Sequence, residues 1–215
     1  MKISVKKYIF FSLLFAGIVE HATAATFFTC NGKQIKRNNM SVLYRFDQTG
    51  FPVGSIWRTP ASNAVTKTNQ NPSKIRGSVQ WNETSVALNN GENEVWWTST
   101  ITAPADAPQH WDCANGILVS SDIRISNSAS HNWTQNGSTK SSSLSYGGGW
   151  RPLENTLIHE LGHTLGLDHT SDTQSIMGTD WNFVHANGTT LRPYLGPDAS
   201  KGLLTLYGST SFSDL

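Results

Sequence analysis

The residues with the most chemistry in this 215-residue chain sit together in His159-Glu160-Leu161-Gly162-His163-Thr164-Leu165-Gly166-Leu167-Asp168-His169. On an α-helix, residues four apart lie about 6 Å along the axis and about 40° around it. His159 and His163 therefore present both imidazoles on one face, close enough to share one metal ion. Glu160 sits beside the first ligand and can reach a water at the metal without taking a coordination position. Gly166 allows the chain to leave the helix, because glycine takes left-handed backbone angles at little steric cost. His169 can then arrive as third ligand. Three protein ligands with a fourth position open mark a catalytic zinc rather than a structural one. Glu160 is the expected general base.

A bare His-Glu-x-x-His arises by chance in unrelated helices. The longer pattern here, His-Glu-x-x-His-x-x-Gly-x-x-His, adds two fixed positions, each cutting the chance rate roughly twentyfold. Ser175-Ile176-Met177-Gly178 follows, a methionine in a tight turn soon after the third histidine. With both elements present, the sequence resembles the metzincin zinc endopeptidases, and within them the matrixins. The stretch from Thr156 to Thr170 is similar to the matrixin active-site helix almost residue for residue. Leu195-Gly196-Pro197-Asp198 and Gly202-Leu203-Leu204-Thr205-Leu206-Tyr207-Gly208 resemble the closing matrixin helix.

The resemblance implies an α+β, zincin-like catalytic domain: a twisted, mostly parallel sheet backed by helices, with an active-site helix and a Met-turn. It implies one catalytic Zn2+ held by His159, His163 and His169, with Glu160 as base. Met177 would form an apolar floor beneath the ligands, and Asp168 would orient its neighbours. Asp198 reads as a cap of the last helix. The stretch from Trp181 through Phe183 and His185 would form a specificity-pocket wall. His185 is not expected to ligate, since a fourth protein ligand would displace the catalytic water. Leu144-Ser145-Tyr146-Gly147 reads either as a cleft-lining edge strand that a substrate could extend or as a Gly-rich connector. The matrixin structural-zinc pattern is not matched by His110 and His131, which read as surface histidines. Calcium is left open, because no Asp-rich loop stands out. The alternative to an enzyme is a catalytically silent, zinc-stabilised peptide-binding module; the intact Glu160 favours catalysis.

The charge balance, 16 basic against 15 acidic residues, gives no field for nucleic acid. Lys2, Lys6 and Lys7 precede an apolar run of residues 8–19, and Ala22-Thr23-Ala24 offers a small-residue cleavage site. Residues 1–24 are therefore read as a secretory signal peptide; the run is short of the ~20 residues a spanning helix needs. Residues 25–208 form the expected metalloprotease domain, and 209–215 a short polar tail. The expected setting is extracellular or periplasmic. The expected partner is a protein or peptide substrate, with no nucleic acid and no membrane after signal removal, and the chain reads as a monomer. Cys30 and Cys113 form a disulfide by default in an exported protein; the alternative is a latent state with the Cys30 thiolate on zinc.

These groups need a scaffold. Residues 41–46 alternate as a first strand. Residues 54–69 read as a helix with Ser55 or Thr59 as its cap and Pro60 in the first turn. Residues 75–81, 94–101, 117–119 and 122–125 read as strands. Residues 32–39 read as a polar lead-in and 127–149 as a loop.

Overall fold

The computed structural model describes residues 25–135, 150–172, 175–178, 185–187, 190–192 and 194–210. The expected signal segment, residues 144–147, Trp181 and Phe183 lie outside these, and of His185 only the backbone is described.

Five strands form the central sheet, in the order Arg76–Glu83, Ser41–Asp47, Glu94–Thr98, Ile123–Ser126, Ala105–Asp106. The first four run parallel. Ala105–Asp106 closes one edge antiparallel to Ile123–Ser126. The mostly parallel α+β architecture expected from the sequence is thus present. Along Ser41–Asp47, Val42, Tyr44 and Phe46 are buried while their neighbours are more exposed. This period of two follows from the pleat and gives the sheet one core face. Helices α1 (Arg58–Thr68) and α2 (Leu153–Thr164) pack against each other and against the sheet. Helix α3 (Gly196–Tyr207) closes the core with Ala199, Leu203 and Leu206. Among the described residues, no helix is long and apolar enough to cross a membrane.

Several elements differ from the sequence expectation. Helix α1 starts at Arg58 rather than near residue 54. Residues 52–58 are occupied by a turn, in which Ser55 N–H donates to Pro52 O, Trp57 N–H to Ser55 Oγ and Arg58 N–H to Ser55 O. Ser55 therefore organises the approach to the helix without capping it, and no side chain caps α1. The supposed lead-in 32–39 is structured: Lys33–Gln34 pairs with Thr29–Cys30, and Ile35 and Arg37 are buried. The supposed loop after residue 127 contains a strand, Asn132–Thr134, parallel to Trp150–Pro152. Asp198 does not cap α3. It lies in the first turn, where its carboxylate accepts a hydrogen bond from Ser175 Oγ at 3.2 Å and so ties the helix to the Met-turn.

Cys30 and Cys113 are joined in a disulfide. The thiolate-latency alternative has no free thiol to draw on, since neither cysteine is free.

Candidate active site

Every residue of α2 is buried, including its two histidines and Glu160. The helix ends where expected. Leu165 N–H and Gly166 N–H still reach Gly162 O and His163 O, and Gly166 then takes φ +91°. An L side chain is strained in that region, and a Cβ here would also stand 2.6 Å from Ile35 O. The reversal sends Leu167–Asp168 back along the N-terminal strand Thr26–Phe27 and delivers His169 to the cleft.

The three histidines meet. The Nε2 atoms of His159, His163 and His169 are 3.1–3.2 Å from one another. Tetrahedral zinc with Zn–N bonds of about 2.0–2.1 Å would hold its nitrogens about 3.3 Å apart, so the donor set fits zinc. The protonation pattern fits as well. His159 Nδ1 donates to Ile176 O at 2.5 Å, and His163 Nδ1 donates to Leu167 O at 2.8 Å. A carbonyl only accepts, so each Nδ1 carries the proton and each Nε2 turns its lone pair inward. Burial, with the neighbouring His163, pushes His159 down to about 3; burial, with His169, pushes His163 down to about 4. Both rings are therefore neutral at pH 7, as ligation requires.

Glu160 lines the same cleft, of about 620 Å3. Burial, with a smaller contribution from Asp106, raises its carboxyl to about 8. A carboxylate in water is too weak a base to take a proton from water readily; desolvation moves Glu160 toward the range where it can both accept and return one. Asp168 Oδ1 accepts from His169 N–H at 2.7 Å, which fixes the backbone of the third histidine. Met177 is buried under the helix, and a Cβ on Gly162 would overlap its sulfur, so Gly162 makes room for the expected floor. Thr170 N–H bonds Met177 O, which closes the turn against the third-histidine segment.

One wall of the cleft escaped the sequence reading. It is the edge strand Ala105–Asp106, whose outer side has no neighbour among the described strands. Arg124 Nε and Nη2 hold Asp106 at 2.9 and 2.5 Å. The flanking Pro104 and Pro108 were the available signal, since proline within a sheet is confined to edges. Phe28 is the other missed wall residue. His110 is exposed, and His131 is half-buried with its Nε2 3.2 Å from Thr102 O; neither joins the cluster of His159, His163 and His169. A second group, Glu83, Glu92 and Glu94, gathers its carboxylates elsewhere. Arg45 bridges Glu83 and Glu92 at 3.4 and 3.1 Å, so this group already contains its cation.

Comparison with known proteins agrees with this geometry. The matrixin family model, peptidase M10, matches residues 97–208, just over half of the chain. A macrophage metalloelastase of Oryctolagus cuniculus is 39% identical over 51 residues, 24% of this chain and 10% of the relative. The match thus spans about a tenth of that relative's length. The helix that carries His159 and His163, the third histidine and the Met-turn all lie within the matched residues: the chain belongs to the matrixin family.

Proposed function

We propose that this chain is a secreted, zinc-dependent endopeptidase, with residues 25–208 acting as one catalytic domain after removal of residues 1–24. The observation that carries the reading is the convergence of three inward-facing Nε2 atoms beside a buried glutamate in one open cleft. His159, His163 and His169 would hold the ion. When bound, zinc supplies a Lewis acid that polarises the scissile carbonyl and acidifies the attacking water.

The chain's own residues do the rest. Glu160 accepts the proton of the attacking water and returns it to the leaving amine. Its burial keeps bulk water from competing for that proton. The outer edge of Ala105–Asp106, unpaired among the described strands, offers backbone donors and acceptors to an extended peptide, which aligns as an added strand. Binding of that kind reads main chain first, so it suits cleavage within a chain.

The test compares mature protein, starting at Ala25, with its Glu160→Ala variant on a mixed peptide library, with zinc measured in both. Cleavage by the wild type alone, with zinc in both, is the expected result. Zinc in both with no cleavage by either would favour a silent peptide-binding module. Cleavage by the variant would remove Glu160 from the mechanism.

A further inference from the structure

The segment before the matched family region is built against the metal site. Phe28 stands at its centre. Its ring centroid is 5.5 Å from that of His163, tilted 45°, and 5.7 Å from that of Trp111. Both of its backbone groups are engaged: its N–H donates to Gly166 O at 3.2 Å, and its carbonyl accepts from Ile35 N–H at 2.8 Å. Behind it, Trp111 Nε1 donates to Gln109 Oε1 at 3.0 Å, and Gln109 Nε2 donates to the carbonyl of His163 at 2.9 Å. The contacts close a circuit: His163 ring, Phe28, Trp111, Gln109, His163 carbonyl. The Cys30–Cys113 disulfide fastens this circuit two residues beyond each aromatic partner, Phe28 between the strands Thr26–Phe27 and Thr29–Cys30, and Trp111 in the strand Gln109–Asp112. Just upstream, Thr26 Oγ1 donates to Asp168 O at 3.1 Å and to His169 O.

We infer that residues 26–30 form a strap that positions the metal ligands, with Phe28 as the positioning residue for His163 and the disulfide as its latch. The bond from His163 Nδ1 to Leu167 O fixes one direction in the imidazole plane. It does not stop the ring from rocking about that direction. The Phe28 ring, packed at a 45° tilt against the imidazole and held at its own backbone from both sides, blocks the rocking and keeps Nε2 aimed at the point where the three nitrogens meet. Groups that orient a ligand from behind typically change metal affinity or activity by about 10–100-fold when removed. The strap lies outside residues 97–208, so the family match says nothing about this role.

The inference rests on the zinc-endopeptidase reading, and its test uses metal binding so that the two can fail separately. Zinc affinity would be measured by competition with a chromophoric chelator, and ligand geometry by the visible absorption of the Co2+-substituted protein. The proteins are wild type, Phe28→Ala, Phe28→Leu, Phe28→Tyr and Cys30→Ser/Cys113→Ser, with thermal unfolding of each metal-free form alongside. We expect Phe28→Ala and Phe28→Leu to lose about tenfold or more in zinc affinity and to shift the Co2+ bands. Phe28→Tyr should restore both, and the double serine variant should show part of the loss. Phe28→Leu keeps apolar volume without a flat ring, so it separates positioning from packing even if Phe28→Ala folds poorly. Wild-type affinity and an unchanged Co2+ spectrum in Phe28→Leu would overturn the strap and leave the endopeptidase reading standing. A wild-type protein that binds no zinc would overturn both.

Discussion

Helices α1 and α2 are nearly equal in length and pack on each other, yet they are buried by different means. Helix α1 buries Pro60, Ala61, Ala64, Val65 and Thr68, a one-sided stripe with helical spacing. Helix α2 buries all twelve residues, among them Glu154, Asn155, Thr156, His159, Glu160, His163 and Thr164. Buried polar groups cost free energy unless they are hydrogen-bonded, so α2 depends on its surroundings in a way α1 does not. His159 bonds the Met-turn, His163 the segment after Gly166, and Thr164 Oγ1 both Leu161 O and Tyr44 Oη. Glu154 is met by Lys67 and Asn63 of α1. A stripe of aliphatic side chains suffices to dock a helix. A helix that carries chemistry needs partners from several separate parts of the chain.

That contrast can be broken at named positions. The largest effect should come from Gly166→Ala at the exit of α2. The substitution imposes positive φ on an L residue and drives a methyl toward the backbone oxygen of Ile35. We expect a loss of roughly 2–4 kcal/mol and, because His169 moves with the turn, weaker zinc retention on dialysis. Denaturant unfolding with zinc analysis checks both; unaltered zinc retention would separate the turn from the site.

A smaller loss is expected from Val65→Ala on α1. It leaves a partly filled space in the core, costing about 1–3 kcal/mol, with zinc content and peptide cleavage unchanged at a temperature where the variant is folded. If cleavage falls in proportion to stability, α1 is part of the site after all.

Smallest is Lys67→Ala, which removes the ion pair joining the two helices. Glu154 keeps Asn63 as a partner at 3.2 Å. The expected cost is about 0.5–1 kcal/mol, and it should shrink as salt is added. A salt-independent loss would mean that the packing of the lysine stem, rather than its charge, joins α1 to α2.

The three-histidine cluster was legible because its geometry is local. A separation of four residues on a helix, then a glycine, determines most of where His159, His163 and His169 can go. The strands at 41–47, 76–83 and 123–126 were legible for a similar reason, since each carries a period-two or β-branched signal long enough to register. Ala105–Asp106 was not. Two residues cannot display a period, and their strand character comes from pairing with Arg124 and Ile125. Ile35 and Arg37 were lost in a polar stretch. Arg37 is buried because its Nε reaches the carbonyl of Thr164 at 2.8 Å, 127 residues away.

By itself the sequence determined the grouping of three histidines with a glutamate, the turn that follows them and the family, because each is written in short, fixed spacings. Tertiary structure alone decided which walls face the three histidines and what packs against the His163 ring. Ala105–Asp106 on one side and Phe28 on the other are 53 and 131 residues from His159. No spacing rule links such positions. They meet only because the sheet order and the N-terminal strand pairing bring them to one cleft.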